Sequence, residues 1–198
     1  SASYSFRIIM KKFIINLLFL LTVIACQPIE KVNHIVFDNN QFAYFDILST
    51  SIEIKEIFEK KISDPYIGHT LKITPSKRII NWINENFKPI GNENTFIVTI
   101  LDASITQKQF ENIEAKNFDE KKNYKYELFY LLEFSLFDNS GNLVASTLVE
   151  TSRSTTSGLY ISIQEKDNII NDLIYSSIVD ISNETKKLLN NYMNNYIL

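Results

Sequence analysis

Residues 123–153, NYKYELFYLLEFSLFDNSGNLVASTLVETSR, decide the fold. Strand side chains alternate with period two, so Tyr124, Tyr126, Leu128, Tyr130, Leu132, Phe134 and Leu136 share one face of a long strand running from Asn123 to Asp138. The sequence DNSGN at 138–142 follows as a hairpin turn, with Gly141 supplying the positive φ that a tight turn demands. The stretch NLVASTLVETSR then returns as the partner strand and ends at Arg153, leaving STTSGLY (154–160) as a loop.

Outward from this hairpin, helices close both sides. Ser162 and Glu165 form a capping box, and Ile169, Ile170, Leu173, Ile174, Ile178, Ile181, Leu188 and Leu189 keep helical spacing almost to the end. Asn183 and the NNYMNNY tail predict fraying or a break in the last third. Upstream, Thr74 caps a helix with Pro75 in its first position. Ile79, Ile80, Ile83 and Phe87 form its apolar stripe, Trp82 lies off the stripe's centre as a core-packing residue with a partner contact as the alternative, and the helix stops near Lys88 before Pro89 and Gly91. TFIVTILDASIT (95–106) is apolar on both faces, which reads as a central strand covered on both sides. The charged stretch 108–122 reads as a loop, and FAYFDILSTSIEI (42–54) as a single first strand. The expected order is β-α-β-β-β-α. It gives an α+β two-layer sandwich in which two helices pack on one face of a mixed four-stranded sheet.

Composition narrows the function. One cysteine excludes a disulfide framework and multi-cysteine metal sites, and two histidines, His34 and His69, do not favour a His-rich metal centre. Four dispersed glycines cannot form a phosphate cradle, and no basic stripe marks a nucleic-acid binder. No cofactor or metal is expected.

The amino-terminal stretch KKFIINLLFLLTVIAC (11–26) joins two lysines to an apolar run of signal-peptide length, shorter than the roughly 20 residues a helix needs to cross a bilayer. Met10 is a natural initiator, which makes residues 1–9 an upstream extension. Val23, Ile24, Ala25 and Cys26 resemble the lipobox of bacterial lipoproteins, whose cysteine carries a diacylglycerol (a palmitate-type acyl anchor) and becomes the new amino terminus. The family favours Leu at Val23 and Ser or Ala at Ile24, so both positions depart from it; cleavage by the ordinary signal peptidase is the alternative. The organisation read here is a signal peptide over 1–25, a polar tether over 26–41 and one α+β domain over 42–198. Removing residues 1–25 takes away Arg7, Lys11 and Lys12 and no acid, so 17 basic side chains face 23 acidic ones in the exported part.

The lipobox, the hairpin block and the long carboxy-terminal helix together resemble the LPS-assembly lipoprotein family of Gram-negative bacteria, over Thr74 to Asn191. Similar architectures occur in auxiliary lipoproteins of lipid ABC systems, in activators of cell-wall synthases and in an alphaproteobacterial lipoprotein family. The chain departs from the LPS-assembly family in Gln27, Pro28 and Ile29 after Cys26 and in the longer insertion Lys55 to Ile73. The resemblance implies a non-catalytic accessory protein held to the membrane by its lipid. It would support an outer-membrane β-barrel from the periplasmic face, through its sheet edge and loops. Gln27 resembles the outer-membrane sorting default, with the inner membrane as the alternative.

The partners expected are therefore the membrane, through the anchor, and an envelope protein, with no nucleic acid. Arg153, one of two arginines left with Arg78, could grip a phosphate or carboxylate in two-point fashion; its bland reading is an ion pair with a neighbouring Glu. His69, near Asp64 and Tyr66, is the one candidate base for a hydrolase, and its bland reading is a hydrogen-bonded loop residue. Asp119 and Glu120 sit in a charge run and read as solvated. The chain is expected not to be an enzyme; small-ligand binding and hydrolysis rank behind the accessory reading.

Overall fold

Residues 37, 41–113, 115–116 and 121–198 are described in the computed structural model of the chain, and all belong to one compact unit. The hairpin read from residues 123–153 stands at its centre. Strand β5 (Lys122–Phe137) carries Tyr126, Leu128, Tyr130, Leu132, Phe134 and Leu136 fully buried on one face. Its antiparallel neighbours are β4 (Thr95–Glu111) and β6 (Leu143–Gly158), and β2 (Ser51–Glu56) lies parallel to β4. The mixed four-stranded sheet has the order β2-β4-β5-β6, which makes β6 an edge.

Helices α1 (Pro75–Asn86) and α2 (Ile163–Tyr192) cover the face that holds the β5 stripe. The architecture is α+β with two helices on one face of a mixed sheet, as the sequence predicts. Both amino-terminal caps form: Thr74 Oγ1 accepts from the Lys77 N–H at 3.3 Å and Ser162 Oγ from the Glu165 N–H at 3.1 Å. Parallel pairing of β2 with β4 needs a crossover between them, and α1 supplies it.

The structure corrects several boundaries. The first strand is two: β1 (Phe45–Ile47) leaves the main sheet to pair in parallel with β3 (Phe87–Pro89), directly after α1. Its aromatic residue then stacks on β3, with Phe45 and Phe87 ring centroids 4.5 Å apart and Trp82, Phe96 and Phe134 around them. Trp82, off the centre of the helix stripe, is 2% exposed and packs in the core, as expected of it. Strand β4 runs on to Glu111 opposite Lys122, and β6 runs past Arg153 to Gly158 opposite Asn123, so the two loops expected there are shorter. Partner strands of equal length extended both, because an unpaired backbone group beside a strand costs more than weak β propensity at a serine or lysine.

Helix α2 passes Asn183 without a break. Ser182 and Thr185 are buried, and Ser182 Oγ accepts from the Ala43 N–H at 2.9 Å, so tertiary packing holds the turn that the sequence leaves weak. The tail is also tied down: Leu48 N–H donates to Tyr196 O, Leu198 N–H to Asp46 O, and Met193 is buried. Nor is β4 covered on both sides. Phe96, Val98 and Ile100 are buried under the helices, whereas Ile97 and Leu101 lie half-buried on a face that no described layer packs against.

The insertion at 55–73 follows the edge of β4 beyond the end of β2. Ile57 N–H donates to Ile100 O, Ile67 N–H to Ile105 O, and Gln107 N–H to Pro65 O. These bonds occupy both ends of an edge that β2 is too short to reach.

Candidate binding surfaces

Cys26, Val23, Ile24, Ala25, His34, Asp119 and Glu120 lie outside the described residues. Arg153 lies within β6 and is already engaged: its Nε donates to Asp180 Oδ2 at 2.7 Å and its Nη2 to Oδ1 at 3.4 Å. The two-point grip expected of its planar guanidinium is thus made, but to an aspartate of α2 rather than to a ligand or a neighbouring Glu. Both side chains are well exposed, at 47% and 38%, so the pair contributes about 1 kcal/mol at most.

His69 sits in a single helical turn at Gly68–Thr70. It lines a cleft with Tyr66, Thr74, Ser76, Asp102 and Ser104, where the insertion spans the β4 edge. Among the described residues no hydrogen bond draws it into a relay with Asp64 or a serine. Lys61 Nζ donates to the Tyr66 hydroxyl at 2.9 Å and lies 4.6 Å over its ring, while the Ser76 hydroxyl is shared with Thr74 at 3.1 Å. The bond to Tyr66 holds the Lys61 ammonium above its usual pKa. Asp102 enters the cleft at a β-bulge that shifts the register between Ile100 and Asp102. Its Oδ1 is buried without a hydrogen-bond partner among the described residues. The cleft holds about 70 Å³, room for water or a small group and far below the roughly 300 Å³ at which ligand pockets begin.

The larger surfaces are open. On the sheet face away from the helices, Phe129, Leu131 and Phe137 are half-buried, and Val144 and Leu148 are 40% and 55% exposed. Glu133 and Glu150 punctuate this stripe. Towards its far end Lys125 Nζ donates to Glu127 Oε1 at 2.6 Å, which holds the Glu127 carboxyl below the usual range.

The second open surface is the outer edge of β6, whose backbone pairs with β5 alone among the described residues. Helix α2 packs on β6 more than on β5 and so stands over that edge. Beneath it, Arg153 and Thr155 of β6 and Ile169, Asp172, Leu173 and Ser176 of α2 line an opening of about 230 Å³. Sequence reading missed this groove because it ends β6 at Arg153; the signal lay in the β-branched pair Thr155 and Thr156 that continues the strand. Among the described residues no three His, Cys, Asp or Glu side chains come together to hold a metal.

No protein-family model and no curated protein sequence matches the chain. Among solved structures, it is similar to rare lipoprotein B from Shewanella oneidensis, at 9% identity and a TM-score of 0.36, covering 70% of this chain and 97% of that one. It is also similar to a minor lipoprotein from Acinetobacter baumannii, at 8% identity and a TM-score of 0.38, covering 71% of this chain and 90% of that one.

Proposed function

We propose that the protein is a bacterial envelope lipoprotein, anchored through acyl chains on Cys26, that works as a non-catalytic accessory or assembly factor. Its specific role in this reading is LPS assembly, in which it supports an outer-membrane β-barrel from the periplasmic face. One observation carries the non-catalytic part: the recognition surfaces are a broad open sheet face and an unpaired edge, while the cleft beside the one candidate base holds only about 70 Å³. Surfaces of that kind suit contact with another macromolecule better than enclosure of a substrate. The anchor rests on the apolar run ending in Val23, Ile24, Ala25 and Cys26. Each buried CH₂ of an acyl chain contributes about 0.8 kcal/mol of membrane affinity, so several chains make a lasting anchor.

Three experiments test the proposal. Metabolic labelling with a lipid precursor should mark the wild type and not Cys26→Ser; label retained by the variant overturns the anchor. Mild crosslinking and pull-down should recover an outer-membrane barrel. Recovery of an ABC permease or of a cell-wall synthase assigns the protein instead to lipid transport or to wall synthesis. His69→Ala should complement a deletion strain fully, and loss of complementation by a folded variant would revive a hydrolase.

A further inference from the structure

We infer that the groove between the outer edge of β6 and α2 receives an extended segment of a partner chain, which adds to the sheet as a fifth strand and carries basic side chains among apolar ones. The inference rests on the accessory role proposed above and names how the partner is held.

The backbone argues for a strand. β6 is 16 residues long, about 50 Å at roughly 3.3 Å per residue, and an edge of that length presents a row of unpaired N–H and C=O groups that an extended chain satisfies. Natural edges are blunted by proline, lysine or bulges, yet Leu143–Gly158 contains neither proline nor lysine, and its one register shift, at Val144, lies at the hairpin end away from the groove. At the opposite edge of the sheet, beyond β2, the insertion blocks β4 with its own hydrogen bonds. The other edge strand, β2, is six residues long and β6 sixteen, so β6 is the long edge left open among the described residues.

The side chains argue for the rest. A strand laid on β6 turns alternate residues towards α2, into the 230 Å³ opening walled by Ile169 and Leu173, where an aliphatic side chain fits. The rim is acidic. Asp172 and Asp180 follow α2 along the groove, against the single guanidinium of Arg153, which Asp180 already neutralises. Asp172 is exposed and makes no ion pair among the described residues, so a partner carrying lysine or arginine finds complementary charge there. Strand addition between an edge strand and a helix is a known mode of peptide recognition, with affinity from the main chain and selectivity from the pockets.

A second copy of this chain fits less well. Two β6 edges paired at about 4.8 Å would bring their overlying α2 helices to nearly that separation, and packed helices need 8–10 Å.

Hydrogen exchange on the full chain in detergent tests the inference, with a short synthetic valine–lysine peptide of repeat Val-Thr-Lys-Thr as probe, which puts valine and lysine on one face. The peptide should protect amides within 143–158. A valine–glutamate peptide should bind at least about tenfold more weakly. A valine–lysine peptide with prolines at alternate positions keeps its charge but cannot form the ladder, and should give no protection. Asp172→Lys, a change at an exposed position, should weaken binding about tenfold while circular dichroism shows the fold intact.

No protection of 143–158 at saturating peptide, equal protection by the proline peptide, or unchanged affinity in Asp172→Lys each overturns the inference. So does concentration-dependent self-association of the free chain with protection of the same amides, which would make the edge an interface between copies. Failure here alongside a crosslinked envelope partner removes the groove and leaves the accessory role standing; peptide binding without any such partner removes the role and leaves the groove.

Discussion

Gly91→Ala tests the junction that splits the first strand. A Cβ on Gly91 would lie 2.6 Å from the Leu48 carbonyl carbon and 2.7 Å from the Ser49 nitrogen. Carbon contacts are comfortable at about 3.5 Å, so the two backbone segments would have to part by roughly 1 Å, and neither is a flexible side chain. The same parting stretches the bonds from Gly91 N–H to Ser49 O, now 3.0 Å, and from Ile90 N–H to Ile47 O, now 2.9 Å. Overpacking costs about 1–3 kcal/mol and a weakened buried hydrogen bond about 1 kcal/mol. Against this, alanine restricts the unfolded chain and returns about 0.4–1 kcal/mol. The net loss is about 1.5–3 kcal/mol, a fall in Tm of roughly 4–10 °C for a domain of this size.

Gly68→Ala is the internal control. Its Cβ would meet nothing nearer than Ile105 Cγ2 at 3.6 Å, so its Tm should stay within about 2 °C of wild type or rise. Thermal unfolding followed by circular dichroism reads both variants. If Gly91→Ala melts with the wild type, or if the two alanines cost the same, the close approach of residues 48–49 to Gly91 does not hold the junction.

Three further outcomes follow from particular contacts. Tyr130 is fully buried and its hydroxyl donates to Pro75 O at 3.0 Å, so Tyr130→Phe should lose about 1 kcal/mol in urea unfolding; an unchanged midpoint would remove that bond from the balance. Asp138 accepts from Asn142 Nδ2 and from the Ser140 and Asn142 N–H groups, which holds its carboxyl below the usual range, with the Asn142 side chain the leading cause. Because its folded pKa is the depressed one, the stability it contributes is present above the unfolded value of about 4 and is lost as pH falls through the folded value. The Tm gap between wild type and Asp138→Asn should therefore be open at pH 7 and close in acid, and a gap independent of pH would contradict the assignment. A double-mutant cycle on Arg153 and Asp180 should give a coupling of about 1 kcal/mol or less that shrinks in 1 M salt; a coupling insensitive to salt would mean the pair is not the exposed one described.

Legibility in the sequence tracked the range of the forces. The β5 stripe and the caps at Thr74 and Ser162 could be read because each depends on residues within a few positions. The break between β1 and β2 could not, because β1 pairs with β3 and β2 with β4, some forty residues later, where Gly91 lets the backbone pass close to Leu48 and Ser49. The ends of β4 and β6 were set by partner strands, and α2 crossed Asn183 because Ser182 is hydrogen-bonded to Ala43. Of the candidate sites, Arg153 was visible as a rare charged residue, but its engagement by Asp180 was not, since the two meet only when α2 folds back over β6.

The sequence by itself therefore determined the class of fold, the hairpin, the start of each helix and the lipobox-like run, all written in periodicity and local hydrogen bonding. Tertiary structure alone decided which strand would be an edge and which edge would be covered. It also placed α2 above β6 and left the groove between them, because pairing and layer packing are settled by competition among segments distant in the chain, and no local pattern records the outcome.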